Sequence, residues 1–265
     1  MTDDHHPLPT NPQQTGTGPG AAGPSAWLTE AREFVRAISQ MVAKDTGAKA
    51  ALRSGVGKSL DDVPRMHRIV APRLPATVAR DADSQLAFYA VAALIAAHHR
   101  RGPSEPEAAP LPARGRGDST DEQSADNGGG IPEQRAARRA EAEQQRRERF
   151  GDTLGLAFAT AVARGAHKGI RESAAETRLN LLCKQSSAGL HRHLPAAVRQ
   201  LCDRGAPPDW ARLLVDLRNW PQQRRRIARW WLQDYYRARA AADLAGAREA
   251  DNEAQHTATT PASTD

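Results

Sequence analysis

The segment RGPSEPEAAPLPARGRGDSTDEQSADNGGGIP, residues 101–132, sets the first limit on what this chain can build. It consists of Pro, Gly, acids and small residues, with too little apolar surface to offset the entropy of ordering its backbone. Residues 1–25 and 247–265 are equally poor in large apolar side chains. Core formation is therefore confined to about residues 26–100 and 150–240, each long enough for one small helical bundle. The expected organisation is a disordered tail at 1–25, an N-terminal helical bundle at 26–100, a low-complexity, charged insertion at 101–149, a basic C-terminal helical bundle at 150–240 and a disordered tail at 241–265.

Within the foldable parts the apolar spacing is helical, and alternating Val, Ile and Thr runs are absent, so the fold class is all-α: two small helical bundles joined by a flexible insertion. Residues 26–43 place Trp27, Leu28, Ala31, Phe34, Val35, Ile38, Met41 and Val42 on one stripe. Asp45 or Thr46 caps a short helix ending at Gly55. Pro64, Pro72 and Pro75 leave room for only a short helical piece between them. Residues 84–98 are apolar almost all round, as expected of the most buried helix. Residues 133–149, EQRAARRAEAEQQRRER, lack an apolar face and read as a solvated extension of the insertion. A helix follows from Asp152 to near Gly165. Ser173 and Glu176 have capping-box spacing and open the next one. Another helix, marked by Leu194, Val198, Leu201 and Cys202, stops at Gly205. Asp209 starts DWARLLVDLRNW, Pro221 breaks it, and a last helix runs from about 222 to 240. In that helix Ile227, Trp230, Trp231 and Tyr235 share the inward spacing, with Arg224, Arg225, Arg226 and Arg229 on the other side.

RSGVGKSL, residues 53–60, ends like a phosphate-binding loop, but the spacing excludes one. The glycine expected five residues before Gly57 is Leu52, Gly55 is only two residues back, and no buried strand precedes the loop. Two cysteines, Cys183 and Cys202, are too few for a disulfide framework and fit a reducing, cytoplasmic setting. His191 and His193, two apart, point to different helix faces, and His98-His99 are no better placed. Solvated or capping histidines are expected rather than metal ligands, with no cofactor. Nucleophile, base and paired carboxylates are not found in any catalytic spacing, so no enzymatic activity is expected. No export signal is recognised, and the longest apolar run, Leu86 to Ala97, is too short to span a bilayer.

Charge is the informative quantity. Residues 160–240 hold sixteen Lys and Arg against six Asp and Glu, a net of +10; the whole chain is +6, leaving −4 for the rest. A basic folded half flanked by acidic segments points to a polyanionic partner.

The order of the pieces is specific. GAKAALRSG, then DDVPRMHRIVAP, a buried helix, a variable insertion, TLGLAFATAVA, ETRLNLLCKQ and LPAAVRQLCDRGAPPDWARLLVDLRNW resembles the small subunit of the type I-E CRISPR interference complex, the CasB family, over about residues 27–240. The long insertion and the extended tails depart from the family, and nothing is carried over to them. The resemblance implies an all-helical, non-catalytic subunit, present as two copies in a crRNA-guided complex. Its other members are a large subunit, a repeated backbone subunit, a crRNA-capping subunit and the crRNA endonuclease. It further implies binding to crRNA and target DNA without sequence preference, and support of the opened target and its displaced strand. Exchanging a duplex for a guide heteroduplex is nearly balanced, so modest backbone contacts can tip it. The basic residues on the matching motifs are the candidate phosphate contacts: Lys49 and Arg53 in the first motif, Lys58 beside them, Arg178 and Lys184 on the helix of ETRLNLLCKQ, and Arg199 in AAVRQL with Arg192 extending the stripe. Two alternatives remain open. One is a free-standing helical DNA-binding regulator, since residues 208–237 loosely resemble helix-turn-helix; the other is an assembly protein that touches no nucleic acid.

Overall fold

The structure is a computed structural model that describes residues 24–99 and 132–258; the expectations for the N-terminal tail before Pro24, for 100–131 and for 259–265 lie outside the described residues. Helices α1 (Pro24–Lys44), α2 (Thr46–Arg53), α3 (Pro64–Val70) and α4 (Ala82–His98) come first. Helix α5 (Pro132–Phe150) leads to α6 (Leu154–Ala163), α7 (Gly165–Lys168), α8 (Glu172–Cys183), α9 (Ser187–Asp203) and α10 (Trp210–Ala258). The described residues are helix and turn without strand, as the spacing predicts.

Local signals account for most boundaries. Asp45 accepts a hydrogen bond from the Ala48 backbone N–H at 2.9 Å and so caps α2. Thr153 and Ser186 do the same for α6 and α9. Asp209 Oδ1 accepts from the N–H groups of both Ala211 and Arg212, and its Oδ2 from that of Asp152, so one carboxylate starts α10 and fixes the entry to α6. Gly57 and Gly205 take left-handed backbone (φ 73° and 68°) just after α2 and α9. GVGKS is thus a turn following a short helix.

The stripe of α1 and the apolar α4 meet as expected, with Phe34 and Phe88 edge to face at 4.8 Å. Residues 91–96 of α4 are buried without a break. Helix α10 packs against α6 on one side and against α1 and α4 on another, so the two helical sets meet along it. At the α6 crossing the backbones nearly touch: a Cβ added to Gly155 would lie 1.8 Å from the Trp231 carbonyl oxygen. Inside α10 the backbone leaves helical geometry at Gln223, two residues past Pro221, so the expected break is a kink in a continuing helix. Asp216, before the kink, accepts from Arg212 Nε at 2.8 Å and from Trp231 Nε1, after it, at 2.7 Å. Trp231 also packs on Trp220, ring centres 4.9 Å apart.

Three expectations are corrected. Helix α5 is not wholly solvated: Arg146 pairs with the buried Asp234 at 2.6 Å, Thr153 donates to the other oxygen of that carboxylate, and the carbonyls of Glu148 and Phe150 accept from Arg32 and Arg212. Its attachment is polar and made at its C-terminal turn, where a missing apolar stripe carries no weight. The Ser173–Glu176 capping box does not form. Helix α8 begins at Glu172 with Arg171 in the extended N-cap position, which leaves Ser173 inside the helix, its carbonyl accepting from Thr177 Oγ1. Helix α10 continues past 240 to Ala258, because residues 238–249, Asp243 and Gly246 apart, are strong helix formers and Arg239 pairs with Asp243 one turn on.

Gly155→Ala is expected to cost about 3 kcal/mol, since backbone rather than a flexible side chain must give way. Gly246→Ala, with open space around its Cβ position, leaves stability unchanged or slightly raised. Urea unfolding midpoints of the two variants measure the contrast.

Candidate nucleic-acid interface

Several acids of the C-terminal half are engaged by arginines, two of them, Asp216 and Asp234, in the core. Asp216 holds Arg212, Asp234 holds Arg146, and Glu172 with Asp243 holds Arg239. Glu30 pairs with Arg218, which also lies over the Trp27 ring at 5.2 Å. Burial pushes the Asp216 carboxyl up, against the opposing pull of Arg212 and the Trp231 N–H. Among the described residues, Arg53, Lys58, Arg178, Lys184, Arg192 and Arg199 form no ion pair.

Three of these converge. Arg53 ends α2, Arg199 is on the exposed side of α9, and both act on His98 at the end of α4. Burial is the main cause that pushes the His98 imidazolium down; Asp203 opposes it, and Arg199 and Arg53 add to it. Arg178 of α8 joins from the other side, sharing a shallow depression of about 400 Å³ with Arg199, Asp203 and Arg204. Arg192 lies seven residues before Arg199 and is exposed, so it extends the same face by two turns of α9. The surface thus presents Arg53, Arg178, Arg192, Arg199 and Arg204 about the Asp203 carboxylate.

The remaining candidates are placed differently. Lys49 Nζ donates to the His99 carbonyl at 2.9 Å, tying α2 to the end of α4. Its ammonium adds charge near the face but is already engaged. Lys58 is exposed in the turn after α2, and no interaction among the described residues joins it to the arginine group. Lys184 is six residues from Arg178, about 120° around the helix. The exposed Ala174, Thr177 and Leu181 lie in that arc, the buried Ala175, Leu179 and Leu182 lie on the opposite side of the helix, and Lys184 faces a groove against α10.

Sequence reasoning missed His98 and Arg204 at this face. Spacing alone places His98 in solvent or at a cap, and its position near Arg53 and Arg199 depends on three helices meeting, which spacing does not report. His191 also departs from the solvated expectation: its Nδ1 is shut away without a partner, and burial pushes its pKa down. Cys183 is an inert thiol, pushed up to about 12 by burial. Among the described residues no group of three or more His, Cys, Asp and Glu is placed to hold a metal, and no helix is long and apolar enough to cross a membrane.

Comparison with known proteins gives one consistent result. The sequence profile of the family described as CRISPR-associated protein Cse2 matches residues 48–236. A chain of a solved "CRISPR RNA-guided surveillance complex" superposes with a TM-score of 0.57 at 32% identity, covering 83% of this chain and 99% of that one. A chain of a "CRISPR RNA-guided surveillance complex, pre-nicking" superposes with the same TM-score and identity, covering 83% of this chain and 98% of that one. No curated protein matches the chain significantly.

Burial depresses both His98 and His191. Each contributes stability that is present above the unfolded imidazole value of 6.5 and is lost as pH falls through the lower folded value. The urea midpoint is expected to drop as the pH is lowered below 6.5. Arg199→Ala moves the His98 titration, followed by NMR chemical shift, back toward 6.5.

Proposed function

This chain belongs to the CRISPR-associated Cse2 family, and from that premise we propose that it works as the non-catalytic small subunit of a type I-E surveillance complex, binding nucleic-acid backbone without sequence preference. That it is a small subunit of a CRISPR surveillance complex follows from the family and from the solved complexes whose chains it matches. The observation that carries the finer reading is the convergence of Arg53, Arg178 and Arg199, from three separate helices, on one face without an ion-pair partner among the described residues. Cations fixed on a rigid scaffold neutralise phosphates and displace counterions, and that interaction is indifferent to base sequence. Arg192 extends the face, while Lys49 and Lys58 add charge at its edge.

In this role the subunit holds the target and displaced strands apart while the guide pairs, stabilising the R-loop with contacts that need only tip a near-balanced exchange. Its partners are crRNA and target DNA, the large, backbone, crRNA-capping and endonuclease subunits, and a second copy of itself, in the cytoplasm. The regulator reading has less support. The two halves of α10 form one kinked helix, and Trp231, which a free recognition helix would have to expose, is fully buried. An assembly protein without nucleic-acid contact leaves the unpaired arginine face without a use.

Arg53→Ala, Arg178→Ala and Arg199→Ala combined are expected to weaken binding to unrelated DNA sequences alike, and to reduce the slope of log affinity against log salt by about two to three for duplex DNA. The test is a salt titration on the purified chain, alongside co-purification of crRNA and the other subunits through a tag on this one. Unchanged binding overturns the arginine-face assignment; normal assembly with no nucleic-acid binding by the unaltered chain favours the assembly reading; one strongly preferred duplex favours the regulator.

A further inference from the structure

The groove between α8 and the second half of α10 is chemically unlike the Arg53–Arg199 face. It measures about 760 Å³, with Cys183, Ala228 and Leu232 as an apolar floor. Lys184 rises from α8, and Arg225, Arg229 and Arg237 rise from α10. All four are exposed, and among the described residues none is ion-paired. Arg224, at one end, donates to the Gln185 carbonyl at 3.4 Å. No carboxylate lines the groove, whereas the nearby Arg239 is neutralised by Glu172 and Asp243. Tyr236 stands in the wall, 48% exposed, its ring held edge to face against the fully buried Tyr235 at 5.1 Å.

A cation row alone suits any polyanion. Cations beside an apolar floor and a rigidly backed, solvent-facing aromatic ring suit a strand whose bases are free to stack, because a duplex keeps its base faces covered. An acidic protein surface would use the charge and leave Tyr236 idle. From Arg225 to Arg237 the row follows α10 for about 18 Å, enough for several nucleotides to lie along it. We propose that the α8–α10 groove is a second nucleic-acid site, specific for single-stranded nucleic acid, in which Lys184, Arg225, Arg229 and Arg237 hold phosphates and Tyr236 stacks on a base. It lies about 120° around α8 from Arg178 of the Arg53–Arg199 face, so one subunit engages two strands by two different chemistries. The inference rests on the nucleic-acid reading above but is separable from it.

The test uses the full-length chain and two labelled oligonucleotides of about twenty nucleotides, oligothymidylate and its abasic counterpart, which carry equal phosphate and differ only in bases. Fluorescence anisotropy at fixed salt is expected to show oligothymidylate binding about five- to tenfold tighter than the abasic strand. Tyr236→Ala removes that preference and leaves abasic and duplex binding unchanged, and Tyr236→Phe retains it. Lys184→Ala with Arg229→Ala weakens binding to both oligonucleotides. Equal affinity of the unaltered chain for the two strands, or a preference that survives Tyr236→Ala, overturns the site. So does single-strand binding that is untouched by the Lys184/Arg229 variant and lost in the Arg53/Arg178/Arg199 variant, a result that leaves the earlier reading standing. Absence of binding to either oligonucleotide and to duplex overturns both. Intact binding with failed complex assembly in the Lys184/Arg229 variant assigns the groove to a protein contact instead.

Discussion

The Asp216 carboxylate is the constraint on which the rest of the molecule depends. It lies before the kink of α10, yet it accepts from the indole of Trp231 fifteen residues later, and Arg212 fills its other oxygen. A buried carboxylate is tolerable only when so paired, and removing one partner from such a group typically costs about 3–5 kcal/mol. The bond therefore fixes the angle between the two halves of α10. That angle sets where α6 crosses at Gly155, where Trp220 meets Trp231, and how the second half of α10 lies along α8. Asp234 repeats the device one turn beyond Trp231, drawing in Arg146 from α5 and Thr153 from the start of α6.

These buried acids also explain why the surface is more positive than the charge of the sequence implies. Four carboxylates of the C-terminal half, Asp209, Asp216, Asp234 and Glu172, are engaged as a helix cap, in the core or on a single arginine. The arginines left outside have few acids near them. A net charge of +10 over residues 160–240 therefore appears as two distinct basic surfaces rather than a diffuse field.

Much of this was legible in the sequence, and the failures share a cause. The stripe of α1, the apolar α4, the Asp45 and Asp209 caps and the interruption at Pro221 are local features with local consequences. The basic residues of the candidate face were legible as a set, through the motifs that carry them. Their division into two faces was not, because the roles of Arg178 and Lys184 depend on which neighbour each flank of α8 meets. The attachment of helix α5 is not legible because it is made by polar contacts far apart in sequence, among them Arg146 reaching a buried aspartate 88 residues away, which no periodicity reveals. Ser173 misled because the same two residue types at the same spacing also occur inside helices, and backbone geometry at Arg171 decided the start.

Because α1 and α4 both pack on α10, the N-terminal helices complete their core with residues that leave the ribosome long after them. Between emergence of α4 and of Tyr235 lie more than 130 residues of synthesis, on the order of ten seconds at ordinary elongation rates. For that interval Phe34, Phe88 and the apolar flank of α4 lack their final cover, so the nascent chain is a natural client for holding chaperones. A fragment ending before Trp210 keeps both helix sets but loses the element they share.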